Sequence, residues 1–106
     1  MVHIKEFLTS DRDEPVKFKV DDDVFVAIAP NKCPANILVR YAETASYGRV
    51  HAAHTRFFAD VLEEDSYAGF AARLDSKENP VTLNTMAEVA NWLVEEIYAG
   101  KGKGLL

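Results

Sequence analysis

Apolar and polar residues alternate strictly from Val16 to Val20, with lysines at the two polar positions. This period of two is typical of a half-buried β-strand. Three aspartates at 21–23 supply turn chemistry, and the β-branched run at 24–29 ends at Pro30. We therefore predict a β-hairpin. An isolated hairpin is marginal in water, so one face must pack on helices or on a strand of another chain.

Beyond residue 34 the apolar period lengthens to that of a helix, and four amphipathic helices are predicted. A polar elbow at 75–80 separates the last two, because an asparagine before proline disfavours helical backbone. The predicted limits are a first helix capped by Asn36 and ending at Gly48, a second from Val50 to Leu62, a third capped by Asp65 or Ser66 and reaching Leu74, and a last one starting near Thr82 or Asn84 with Gly100 as C-cap.

These elements define an α+β fold that is mainly α, with an N-terminal β-hairpin followed by about four amphipathic helices. A chain of 106 residues fits one domain. We assign residues 1–15 to an N-terminal arm, 16–100 to the single domain and 101–106 to a flexible, basic tail. The buried stripe predicted for the last helix comprises Leu83, Met86, Val89, Ala90, Leu93, Val94 and Ile97.

The charge and cysteine content narrow the classes of partner. A formal net charge of -5 argues against binding to nucleic acid or to anionic membranes, since both need clustered Lys and Arg. One cysteine, Cys33, rules out an intramolecular disulfide and suits a reducing compartment. No apolar run approaches the roughly 18 residues of a membrane span. The expectation is an intracellular protein that binds neither nucleic acid nor membrane.

Candidate catalytic chemistry is sparse. His51 and His54 lie three positions apart on a predicted helix, so they could share one metal ion. A zinc site needs three or four protein ligands, however, and neither HExxH nor CxxC occurs in the sequence. Cys33 would need a nearby base to act as a nucleophile. We therefore predict a protein without cofactor or metal that is not an enzyme, and keep a small metal-dependent enzyme using the two histidines as an alternative.

Large aromatic residues are the candidates for binding a partner. Trp92 and Tyr98 lie beside the apolar stripe of the last helix, so they either widen the core face or form an exposed contact patch. Phe57 and Phe58 lie on the broad apolar face of the second helix. These four residues, Phe57, Phe58, Trp92 and Tyr98, are the predicted partner-binding residues.

The order of the hairpin, helices and elbow resembles a known family. The likeness is carried by FKVDDDVFVAIAP, PANILVRYAE and FFADVLEEDSYAGFAARLDSKENPVTLNTMAEVANWLVEEIYAG, and covers roughly residues 16–100. These segments resemble the tail assembly chaperones of long, non-contractile-tailed bacteriophages, particularly those infecting actinobacteria. The motifs are patterns of helix faces and elbows rather than catalytic signatures.

The resemblance implies a function for the chain. Such a chaperone acts in the cytoplasm of the infected bacterial host, binds the tape measure protein and keeps it soluble during tail assembly. In the family, a longer frameshifted product also recruits the tail tube protein, and a homo-oligomer is expected. The alternative is a structural virion protein, such as a tail completion or head-tail joining ring component.

Overall fold

A computed structural model describes residues 4–7 and 11–99 of the chain. Over these residues it confirms an α+β fold that is mainly α, with a two-stranded antiparallel hairpin followed by four helices. Residues 4–7 and 11–15 form neither helix nor strand, and the predicted C-cap at Gly100 and tail at 101–106 lie outside the described residues. The elements are β1 (Val16–Val20), β2 (Asp23–Ala27), a 3-10 turn (Pro30–Lys32), α1 (Ala35–Ser46), α2 (Val50–Val61), α3 (Glu64–Asp75), α4 (Leu83–Val94) and a π-helical turn (Glu95–Ala99).

The hairpin has the two-residue turn that its sequence allows. Val20 pairs with Asp23, which leaves Asp21 and Asp22 as the turn. Asp21 has a φ of 56°, the sign required at the first central position of the turns that match strand twist. Aspartate tolerates this left-handed backbone better than most residues. The aspartate run therefore fixes the register of the hairpin.

The core lies between the hairpin and helices α2, α3 and α4. Its centre is a cluster of phenylalanine rings around Phe70, which is 0% exposed. The centroid of the Phe70 ring lies 4.6 Å from that of Phe58 and 5.2 Å from that of Phe25. Phe18 completes the cluster from β1, with its centroid 6.0 Å from that of Phe70. These contacts pack the inner face of the hairpin on α2 and α3.

Two helix starts differ from prediction. Pro34, not Asn36, occupies the N-cap of α1, because its extended backbone already precedes the first helical residue. Glu63 is the N-cap of α3, in place of the predicted Asp65 or Ser66. The backbone amide of Glu63 donates to the carbonyl of Val26 at 2.9 Å, so pairing with β2 holds this residue extended and α3 begins directly after it.

The predictions for the end of α1 and the start of α4 are confirmed. Gly48 adopts a φ of 80° just beyond α1, the left-handed conformation that commonly stops a helix. At α4, the Thr82 side chain caps the helix by accepting from the Thr85 amide at 3.4 Å. Most of the predicted α4 stripe is buried or partly buried, but Leu83 is 54% exposed, because Val81 fills the core just before the helix.

Candidate functional site: an open strand edge beside Trp92

The outer edge of β2 is covered by the connection between α2 and α3. The Val26 amide donates to the Ser66 hydroxyl at 2.8 Å, and the Val26 carbonyl accepts from the Glu63 amide at 2.9 Å. One step further, the Ile28 amide donates to the Val61 carbonyl at 2.8 Å. Satisfied backbone groups cannot pair with another strand, so this part of β2 offers no edge to a partner.

The outer edge of β1 is open. Val26 pairs with Lys17, and because Val26 directs its amide and carbonyl away from the hairpin, this is a non-hydrogen-bonded pair. Lys17 therefore also directs its backbone groups outward, and Lys19, two residues on, does the same. No residue in the described parts of the chain hydrogen bonds with these outward backbone groups. An extended peptide can bind to such a strand edge by forming main-chain hydrogen bonds with these groups.

Trp92 of α4 stands beside this open edge. Its ring centroid lies 6.3 Å from that of Phe18, and its side chain is partly buried. Phe18, Val89 and Trp92 line a hollow of about 240 Å³ with Lys19 and Glu88 at its rim. We call the open backbone of Lys17 and Lys19, together with Phe18, Val89 and Trp92, the edge groove.

A second hollow continues the groove on the other side of Trp92. It has a volume of about 590 Å³ and is lined by Trp92, by Val16 and Lys17, by residues 11–15 and by Glu96. Within it the Arg12 guanidinium lies 3.8 Å from the Glu96 carboxylate. The ammonium groups of Lys17 and Lys19, by contrast, form no ion pair with any described residue. The groove therefore offers an apolar floor and, on its strand side, two cations without an ion-pair partner among the described residues. Five carboxylates also line the two hollows, those of Asp11, Asp13, Glu14, Glu88 and Glu96.

Arg73 of α3 fixes the hairpin in place, and the sequence analysis did not identify it. The guanidinium side chain is only 9% exposed, and it donates to Asp21 in the turn at 2.7 Å and to Asp23 at the start of β2 at 3.1 Å. It also donates to the Val20 carbonyl at 3.2 Å. The hydrogen bond that this guanidinium donates to the Asp21 carboxylate is the main cause that raises the pKa of Arg73 above its ordinary value.

The same guanidinium ties the hairpin to the elbow before α4. Its Nε donates to the Asn79 carbonyl at 3.0 Å, and a terminal nitrogen donates to the Asn79 side chain at 3.3 Å. Arginine presents five donors in a planar fork, and here the fork joins α3 and the elbow that follows it to the hairpin, which lies some 50 residues earlier in the sequence. Arg73 thus sets the orientation of β1 relative to α4, and with it the shape of the edge groove.

The four predicted partner-binding residues do not form one surface. Phe57 and Phe58 are 1% and 0% exposed, so the structure places both in the core rather than on a binding surface. The reason is that Tyr41 of α1 and Tyr98 pack on Phe57, while Phe70 of α3 packs on Phe58. A partner could reach these rings only if the core opened.

Trp92 and Tyr98 lie apart, although both are partly buried. Trp92 lines the edge groove, whereas the Tyr98 hydroxyl donates to the Pro34 carbonyl at 3.2 Å and its ring lies 6.4 Å from that of Phe57. Burial is the main cause that raises the pKa of Tyr98 to about 12, followed by the nearby Cys33 and Asp60. Tyr98 therefore anchors the π-helical turn after α4 to the N-cap of α1, and only Trp92 of the predicted set lines an open site.

The residues considered for chemistry differ in burial, since His54 is buried, Cys33 is partly buried and His51 is exposed. His54 is 3% exposed, stacks on Tyr41 at 5.9 Å between centroids, and lies 6.1 Å from the His51 ring. Among the described residues no group of three or more His, Cys, Asp or Glu is placed to hold a metal ion. Burial raises the pKa of the Cys33 thiol to about 11, so little of it is thiolate at neutral pH. His54 and Cys33 are thus packed side chains, whereas His51 lies on the exposed side of α2.

No family model, no curated protein and no solved structure matches this chain. Within the described parts of the chain, none of the helices combines the length and apolar character needed to cross a membrane.

Proposed function

We propose that this protein is a non-enzymatic assembly factor, a phage tail assembly chaperone that binds the tape measure protein and keeps it soluble in the cytoplasm of the infected bacterium. The observation that carries the proposal is the edge groove. A strand edge that no described residue pairs with, and that has Trp92 and Phe18 beside it, is a surface suited to binding an extended segment of another protein. Tryptophan is also among the residues most often found as energetic anchors of interfaces.

The identity of the client comes from the resemblance of residues 16–100 to tail assembly chaperones. A tape measure protein is long and rich in apolar helical segments in these families, so it needs a partner before it is assembled. The net charge of -5 supports the proposal, since a charged carrier remains soluble while it holds an apolar client.

Co-expression with the tape measure protein of the same phage tests the proposal. We expect the client to become soluble and to co-purify, and Trp92→Ala to weaken the complex by about tenfold or more, because loss of a tryptophan anchor costs roughly 1–2 kcal/mol or more. Tyr47→Ala is the matched control, since this aromatic side chain is 82% exposed on the loop after α1. Thermal unfolding of both variants shows whether they are folded. A client that stays insoluble beside the wild-type protein refutes the proposal.

Mass spectrometry of purified virions separates this role from that of a structural virion protein. A chaperone is expected to be absent from the finished particle, whereas a tail completion or head-tail joining component is present in fixed copy number. Sedimentation of the purified protein tests the accompanying prediction of a homo-oligomer.

A further inference from the structure

We propose that the open edge of β1 receives an extended client segment in which apolar residues alternate with acidic ones. This inference rests on the proposed function as a client-binding protein and specifies the chemistry of the segment that is bound. Three features of the edge groove lead to it: the outward backbone groups of β1, the position of Trp92, and two lysines that have no ion-pair partner among the described residues.

The backbone of β1 provides the hydrogen-bonding groups with which an added strand can pair. Lys17 and Lys19 direct their amides and carbonyls away from β2, and no described residue occupies them. The corresponding groups of Val26 on the other edge are bound to Glu63 and Ser66. A strand added to the hairpin therefore pairs with β1, because the middle of β2 is already covered.

The inner face of the added strand meets apolar groups. Side chains of neighbouring strands that point to the same side of a sheet lie close together. Every second residue of the added strand thus lies on the face of Phe18, where Trp92 and Val89 line the hollow. Apolar side chains at these positions would bury the exposed parts of the rings, so the chemistry of the floor selects apolar residues.

The other positions of the added strand lie on the face of Lys17 and Lys19. Both side chains are exposed, and neither ammonium group has an ion-pair partner among the described residues. Opposite charges on adjacent strands are favourable and like charges are unfavourable. Glutamate or aspartate at the outward positions of the added strand therefore complements the positive charges of Lys17 and Lys19. Lysine or arginine at the same positions would be repelled by them.

The same lysines argue against a second copy of this chain as the occupant. If two β1 strands paired edge to edge with their inner faces on the same side, the lysines of one copy would lie beside those of the other. Edge lysines are a common device that prevents such self-pairing. The occupant is therefore a segment of a different protein.

A peptide-binding experiment on the full-length protein tests the inference. The probe is a blocked peptide of alternating valine and glutamate long enough to span β1, and its matched control replaces every glutamate with lysine. Trp92 is the only tryptophan, so its fluorescence reports directly on the groove. We expect the acidic peptide to change this fluorescence saturably and to bind about tenfold more tightly than the lysine peptide, the effect of two cross-strand charge pairs.

Two readouts place the peptide on the strand edge. Hydrogen exchange followed by NMR is expected to show slower exchange of the Lys17 and Lys19 amides with acidic peptide bound, and no change at Val26, whose amide is already bonded to Ser66. Charge reversal in Lys17→Glu combined with Lys19→Glu is expected to reverse the preference toward the lysine peptide.

A proline variant separates the backbone contribution from the charge. Lys19→Pro removes an outward amide, a change that edge strands tolerate, whereas Lys19→Gln removes only the charge. We expect Lys19→Pro to weaken acidic-peptide binding several times more than Lys19→Gln does. If Lys19→Pro does not fold, the amide exchange of the wild-type protein decides the question.

Equal affinity for the two peptides, or unchanged exchange at Lys17 and Lys19 when peptide binds, would overturn the inference. Protection of these amides that grows with protein concentration in the absence of peptide would also overturn it, in favour of a second copy. The proposed function is tested separately. If the doubly charge-reversed variant solubilises the tape measure protein as well as the wild type does, the inference fails and the chaperone role stands. If the wild type does not solubilise it, the chaperone role fails whatever the peptides show.

Discussion

Phe70 is the residue whose truncation should most clearly test the arrangement of the core. Its ring is 0% exposed and lies within 6.0 Å, centroid to centroid, of three other phenylalanine rings, one each from β1, β2 and α2. The Phe70→Ala variant therefore loses the transfer free energy of a whole ring, leaves a cavity beneath the hairpin, and removes three aromatic contacts.

The expected cost follows from these contacts. Phe-to-Ala changes in cores cost about 3–5 kcal/mol, and with three ring contacts we expect a cost of about 4 kcal/mol for Phe70. Domains are stable by only about 5–15 kcal/mol, so the variant should lose a large part of the free energy of unfolding. Because each kcal/mol shifts the midpoint by roughly 4–8 °C, a fall of roughly 16–32 °C is expected.

The assay is urea and thermal unfolding followed by far-UV circular dichroism, with Trp92 fluorescence as a second probe. Tyr67→Ala is the matched control, since it lies one turn earlier on α3 and is 37% exposed. Surface substitutions of this kind usually change stability by about 0.5 kcal/mol or less. If Phe70→Ala and Tyr67→Ala differ by less than about 1 kcal/mol, the hairpin does not pack on α3 as described and the reasoning is refuted.

Three further outcomes are expected. Arg73→Lys should lower the unfolding midpoint well below that of the Asp22→Asn control, because lysine cannot replace a fork that bonds two carboxylates and two carbonyls. Burial lowers the pKa of His54 below its ordinary 6.5, so unfolding takes up a proton and stability should fall as pH drops below about 6.5, less so in His54→Gln. Gly69→Ala should stabilise α3 by about 0.5–1 kcal/mol, since the added Cβ would meet Phe25 at an ordinary 3.5 Å.

Each of these three predictions would be contradicted by a specific measurement. A midpoint for Arg73→Lys equal to that of Asp22→Asn would show that the fork does not hold the hairpin. Parallel curves of stability against pH for the wild type and His54→Gln would show that this imidazole is not buried in its neutral form. A destabilised Gly69→Ala variant would show that Phe25 packs more tightly on α3 than its distance indicates.

The elements of this fold were predictable because their signals are local. The alternation at Val16–Val20 and the aspartate turn predict the hairpin, and Thr82 with the preceding proline elbow predicts the start of α4. Each signal acts within a few residues, through side-chain periodicity or a cap. The predicted start of α3 is wrong because it depends on a contact that is not local. The Glu63 amide donates to the carbonyl of Val26, a residue of β2.

The candidate site could be predicted only in part. Trp92 was identified because a large aromatic beside an amphipathic stripe is a common interface residue. Phe57 and Phe58 were placed on the same predicted surface, because a broad apolar face gives no sign of how much of it other helices will cover. The partners of Arg73 are 50 and 52 residues away, so nothing local marks that guanidinium as the link between hairpin and elbow.

Local patterns are thus enough to predict a hairpin, four amphipathic helices and an aromatic residue at the edge of the last helix. Which strand edge is open depends instead on the folded arrangement. The physical reason is hydrogen bonding between distant segments: residues after α2 satisfy the backbone of Val26, while the outward groups of Lys17 and Lys19 have no such partner among the described residues. Trp92 becomes part of a groove because folding places it beside that unpaired edge.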